Sequence, residues 1–272
     1  MRKLTLLLCF VSFLTNGQNI TVGSGKSFTI EKTGSVTMSG NFSNSGTFTL
    51  NSDSDEFSSI IIGGTVTGNI TYNRYVNSVG TDKWDLIGSP VSGQSINSFV
   101  TANSSTLATN GSTYAIGRYD NYGNEWINFT TAMLAGEIFF PVGMGFQMGT
   151  IANGTGMLSF TGTPAATNKT QAIINNDAAN SGAGTRWNLV ANPFPSYING
   201  NTAAGAANFM DVNSAVIDDS FLGLYGWNGA DYDIYNNTGA FSIAPGQGFF
   251  IAAASTSNTA LNFTAAMRTT TG

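Results

Sequence analysis

The amino-acid sequence predicts an all-β protein: a short N-terminal β-solenoid or meander, followed by two tandem, duplicated β-sandwich modules of jelly-roll-like design. Three observations carry this prediction. Only 9% of the 272 residues are charged, and the polar remainder is mostly Asn, Ser, Thr and Gly, which favour turns and strands over exposed helix. Short runs alternate between apolar and polar residues with a period of two, the pattern of half-buried strands. Four sequence blocks recur at a constant spacing of 103 residues.

The chain opens as an address label. Met1-Arg2-Lys3 is basic, Leu4 to Leu14 is almost unbroken apolar sequence, and Thr15-Asn16-Gly17 supplies small or polar residues before Gln18. This is the layout of a secretory signal peptide over 1–18, and the run is shorter than the ~20 apolar residues of a transmembrane helix. No transmembrane segment is expected in the mature chain. The only cysteine, Cys9, lies inside the apolar run and follows the bulky Leu8, so it is not read as a lipidation site. Cleavage near Gly17 or Gln18 leaves a cysteine-free protein and, by removing Arg2 and Lys3, moves the formal charge from −5 to −7. Export without disulfides fits a bacterial protein.

Residues 19–75 alternate in Ser27-Phe28-Thr29-Ile30, Ser35-Val36-Thr37-Met38 and Thr47-Phe48-Thr49-Leu50, punctuated by Gly, Asn and Ser. Strands this closely spaced leave no room for helical crossovers. Stacked rungs or an antiparallel meander both satisfy the pattern. Residues 76–166 and 186–268 form the duplicated modules, with 167–185 as linker. Lys83 to Val91 matches Arg186 to Phe194, Gly143-Met144-Gly145-Phe146 matches Gly246-Gln247-Gly248-Phe249, and Leu158-Ser159-Phe160-Thr161 matches Leu261-Asn262-Phe263-Thr264. The Glu137 block aligns with Ala240 in the same register. The segments 95–130 and 200–235 align poorly and are read as loops, with a short helix near 203–210. Trp84 and Trp187 are expected as inner-face anchors on strands that Pro90 and Pro193 stop. Gly-x-Gly-Phe is expected as a tight turn entering a strand.

The runs Gly68-Asn69-Ile70-Thr71-Tyr72-Asn73-Arg74-Tyr75-Val76, Trp84 to Gly93, Trp187 to Ser196 and Pro245-Gly246-Gln247-Gly248-Phe249-Phe250 resemble those of secreted surface proteins of Bacteroidetes, especially flavobacteria. So does the closing Leu261 to Arg268. The resemblance covers most of the mature chain and marks a lineage and an architecture. It implies export by the type IX secretion system and a location outside the cell or on its outer surface. It also implies a C-terminal β-sandwich sorting domain after the second repeat; the sequence stops at Gly272, directly after that repeat.

Composition excludes several functions. The chain has no histidine, so no Ser-His-Asp triad, Cys-His pair or His-ligated zinc can form. Net negative charge argues against nucleic acid. Glu125, Glu137, Asp218, Asp219, Asp231 and Asp233 could supply a glycosidase pair, but the acids are not shared between the modules, so no enzyme is predicted. Asn51-x-Asp53-x-Asp55 resembles the first half of a calcium loop, with Glu56 where the turn glycine belongs; the alternative is a polar turn. The strongest binding candidates are aromatics interleaved with Asn and Asp: Tyr122 and Trp126 in the first module, Trp227 and Tyr232 in the second. Such side chains stack on sugar faces, or else pack the sandwiches. The expected function is a non-catalytic structural or adhesin-like protein. The alternative is a carbohydrate-binding accessory module, and the expected partner an extracellular polysaccharide or a surface protein.

Overall fold

The structure is a computed structural model that describes residues 18–80, 83–201 and 207–272. The leader at 1–17, with Cys9, and the first half of the helix expected near 203–210 lie outside the described residues. The protein is all-β, with two short α-helices, Ile96–Ala102 and Phe209–Asn213, and its described sheets do not close into a barrel.

From Ile20 to Thr67 the named strands pair in parallel. Ile20–Val22 lies beside Phe42–Asn44 and then Val66–Thr67. Ser27–Ile30 lies beside Thr47–Leu50 and then Ile70–Tyr75. Ser35–Met38 lies beside Ser59–Ile62. Partners are 20 to 24 residues apart, so the chain winds in three-sided rungs. Alternation alone could not separate this from a meander, because both bury every second residue.

The strand Ile70–Tyr75 belongs to two parts at once. One edge pairs with Thr47–Leu50 and the other, antiparallel, with Met157–Pro164 of the first module. The apolar core runs unbroken across this strand, from Val22 to Phe160. The expected boundary at 75/76 therefore sits inside one sheet and one core. In the same way 167–185 is more than a linker, since Lys169–Ile173 pairs with Thr259–Phe263.

Each module is β-sandwich-like, and the two are built alike. In the first, Asp85–Ile87, Phe146–Met148, Thr113–Asp120 and Glu125–Thr130 follow one another across a sheet. In the second, Trp187–Ala191, Gly248–Ala252, Leu224–Trp227 and Tyr232–Tyr235 do the same. A buried asparagine closes each short helix identically. Asn103 donates to Phe99 O and Ser159 O and accepts from Ser159 N. Asn213 donates to Phe209 O and Asn262 O and accepts from Asn262 N. The helix phenylalanines do equivalent work, Phe99 packing on Phe160 and Phe209 on Phe263.

The modules join about a reciprocal seam. Gly88 N donates to Gly246 O, and the matching Ala191 N donates to Gly143 O. Ile87 bridges Gln247, and the matching Val190 bridges Met144. This is the self-complementary pattern of a two-fold interface, here within one chain. It explains the repeated Gly-x-Gly-Phe. Gly143 and Gly246 take positive φ values of 79° and 67°, and Phe146 and Phe249 enter strands, as expected. The second glycines have a further role: a Cβ on Gly145 would lie 2.7 Å from Leu189 Cγ, and one on Gly248 would lie 2.7 Å from the Leu86 carbonyl carbon. Each admits the other module's strand.

The seam also corrects the reading of the repeated tryptophan. Trp187 is half-buried and faces the other module, within a cluster built on Leu86, Leu189 and Phe250. The core side of its strand is carried by Val190. The Trp-x-Leu alternation marks the face buried between modules rather than inside one. Trp84 is likewise only half-buried.

Candidate functional site

The outer faces of the two sheets meet at this cluster, and aromatic side chains fringe it. In the first module Tyr119 and Trp126 are directly opposed across adjacent strands, rings 5.4 Å apart. In the second, Trp227 and Tyr232 are opposed in the same way, 5.1 Å apart. The pairs occupy equivalent positions. Each lies two residues beyond a cross-strand partner of Gln147 in one module, or of its counterpart Phe250 in the other. Phe250 links them, lying 5.0 Å from Tyr119, 6.0 Å from Trp126 and 5.8 Å from Tyr232.

Three of the four predicted aromatics, Trp126, Trp227 and Tyr232, thus belong to one strip across both modules. Trp126 and Tyr232 keep 38% and 41% of their surface exposed, so the strip is open to solvent while its floor is closed. Tyr122 stands apart on the hairpin tip at 54% exposure. That tip is held by Asn121, whose side chain donates to Ile174 O and accepts from Asn176, and by the Tyr119 hydroxyl, which meets Thr185 Oγ1 at 3.0 Å. Neighbouring rings are inclined by 60° to 89°, making a twisted surface rather than a flat platform. Polar side chains lie close by. Gln147 donates to Asn128 at 2.7 Å, and Asn228 donates to Asp233 at 3.1 Å. Burial, with Tyr119 near, raises the Tyr232 hydroxyl above its ordinary range, so Tyr232 is a neutral donor at pH 7. Sequence alone missed Tyr119 as the partner of Trp126 and Phe250 as the link.

The Asn51, Asp53 and Asp55 side chains serve a turn. Asn51 donates to Glu31 and accepts from Asn73. Asp53 accepts the backbone N–H groups of Asp55 and Glu56, and pairs with the Lys32 ammonium. Asp55 accepts from Ser54. Among the described residues no group of three or more His, Cys, Asp or Glu side chains is placed to hold a metal ion. Lys32 and the two N–H groups hold the Asp53 carboxyl down to about 2. Its contribution to stability is present above the unfolded carboxylate range and fades only as pH falls through about 2. Lys32→Ala is expected to return Asp53 part of the way to ordinary carboxylate titration, read by NMR, with little change in thermal midpoint because the pair is exposed.

Of the carboxylates weighed as a glycosidase pair, Asp218, Asp231 and Asp233 are also engaged. Asp218 pairs with Arg186 and accepts from Ser220 N, beside a shallow depression lined by Asp219 and Ser214. Asp177 takes the other side of Arg186. Among the described residues no helix is long and apolar enough to cross a membrane.

Fold and site together define an all-β, sandwich-like protein with a pseudo-two-fold aromatic strip at the junction of two fused modules. The family described as Domain of unknown function (DUF8693) matches residues 10–272. The chain belongs to that family. Neither the curated proteins nor the solved structures contain a match.

Proposed function

We propose that this chain is a non-catalytic, secreted or cell-surface protein of adhesin-like type, and that the aromatic strip is its contact face. One observation carries the reading: Trp126 and Tyr232, on different modules, are both held open to solvent over a common buried floor, Phe250. Large rings kept at a surface by ladder-paired strands add contact area at low entropic cost. The absence of histidine supports a binding role over catalysis.

A glycan-binding accessory role is the second reading. It is favoured by Asn128, Gln147 and Asp233 beside the rings, which suit sugar hydroxyls. The inclined rings suit a twisted chain better than a flat crystalline surface. The test is retention of the protein on a panel of insoluble and soluble polysaccharides, and on immobilised surface proteins, with calcium and with chelator. Trp126→Ala and Trp227→Ala are each expected to weaken retention roughly tenfold, about 1.4 kcal/mol, with the far-UV spectrum unchanged. Competition by a soluble polysaccharide would select the second reading. Retention indifferent to both substitutions would remove the strip from the function.

A further inference from the structure

Among the described residues the first rung of the winding has one side with no neighbour. Ile20–Val22, Ser27–Ile30 and Ser35–Met38 each pair on one edge only and end their ladders among the described residues. Their inward backbone groups are those of even-numbered residues. Val22 O, Lys26 O, Ile30 O, Gly34 O and Met38 O all accept from the second rung, and Ile20 N donates to it. By alternation Thr21, Ser27, Thr29, Ser35 and Thr37 turn their N–H and C=O groups to the open end. The core is unfinished there as well. Ile20, Phe28 and Val36 are only half-buried, whereas their ladder partners Phe42, Phe48 and Ile60 are each 1% exposed. Phe28 stacks on Phe48 at 4.9 Å, which covers one face of its ring.

We infer that this open rung is a self-association surface, and that its occupant is the first rung of a second copy, packed head to head about a two-fold axis through Phe28. Three features of the rung fit this register. The turns on either side of Ser27–Ile30, Gly23 to Lys26 and Glu31 to Gly34, have the same length, four residues each. An axis at Phe28 therefore sets Ile20–Val22 antiparallel to the start of Ser35–Met38 of the second copy. It places Phe28 against Phe28 and Ile20 against Val36, the three half-buried core residues and no others. It also opposes odd-numbered residues to odd-numbered ones, Ser27 to Thr29 and Thr21 to Ser35, as hydrogen-bonded antiparallel pairs require. The charges agree: Lys26 comes beside Glu31 of the second copy twice over, while Lys32 is already paired with Asp53 and Glu56. Solenoid ends need a cap, and a free edge is a template for pairing. The surface lies on the first rung, away from the aromatic strip, and does not depend on it.

Sedimentation velocity of the exported chain over a wide concentration range tests the inference. A two-fold dimer is expected. Thr29→Pro removes an outward N–H and leaves the inner ladder intact, as proline on an edge strand does; it is expected to give monomer with an unchanged far-UV spectrum. Lys26→Glu is expected to raise the dimer dissociation constant about tenfold, and Lys26→Glu with Glu31→Lys to restore it. The double exchange keeps the test decisive if Thr29→Pro does not fold. A monomer at every concentration overturns the inference. So does a dimer that persists in Thr29→Pro, or one whose Lys26→Glu weakening the exchange does not repair.

Discussion

Arg74→Ala is expected to destabilise the protein by about 3–5 kcal/mol, lowering its thermal midpoint by roughly 10 °C in a calorimetric scan. Arg74 alternates with Ile70 and Tyr72 on the buried face of its strand. Its guanidinium donates to Pro245 O at 3.1 Å and to Tyr75 O at 3.0 Å, and lies 4.1 Å from the centre of the Phe57 ring. Burial pulls its pKa down. Carbonyls and a ring therefore carry the charge, and among the described residues it has no ion pair. Truncation leaves Pro245 O without its donor in the interior and opens a cavity beside Phe57. Arg74→Met keeps much of the volume and loses the donors, so about half of the effect should remain. Equal stability of wild type and Arg74→Ala would mean that water satisfies Pro245 O, and that the second module is not riveted to the rungs here.

The second large effect is expected at Asn192, which is fully buried in the Asn192-Pro193 turn, the counterpart of Ser89-Pro90. Its amide nitrogen donates to Ser196 O, Ile243 O and Ala244 O, and its oxygen accepts from Phe194 N at 3.0 Å. Asn192→Asp preserves shape but turns a carboxylate oxygen toward three carbonyls. At neutral pH the cost is about 3–5 kcal/mol. The sign with pH is distinctive. Burial raises the folded-state pKa of the new carboxyl above its unfolded value of about 3.9, so the penalty grows as pH rises above that value and is relieved below it. Denaturant midpoints measured from pH 3 to 7 should show the variant approaching wild type at the acid end. A penalty independent of pH would indicate lost hydrogen bonds rather than a buried charge.

Much of the architecture is readable in the sequence. The 103-residue register pointed to two modules because strand ends and seam turns tolerate no change in length. The equivalences it missed lie where length does vary. Asn103 and Asn213 are 110 residues apart, Tyr119 and Trp227 are 108 apart, and Trp126 and Tyr232 are 106 apart. No single offset aligns them, although the structure gives each pair the same role. Trp187 was placed on the wrong side of its strand because alternation shows that a face is apolar, not what covers it. The module boundary at 75/76 failed for a related reason: Ile70–Tyr75 shows one pattern while serving two neighbours. The candidate site was half legible. Trp126, Trp227 and Tyr232 announced themselves by interleaving with Asn and Asp, but Phe250 looked like any core phenylalanine.

The rivets between rungs and second module bear on how the chain reaches its native state. Arg268 donates to Ile62 O across 206 residues, and Arg74 reaches Pro245 O across 171. Contacts so remote in sequence repay their loop-closure entropy late, and topologies rich in them fold slowly. A chain synthesised from its N-terminus exposes the flank of its rungs until the region around Pro245 and Arg268 has emerged. The protein is therefore completed from its far end backward, and the rung strands that carry Ile62 and Arg74 are sealed only when the second module arrives.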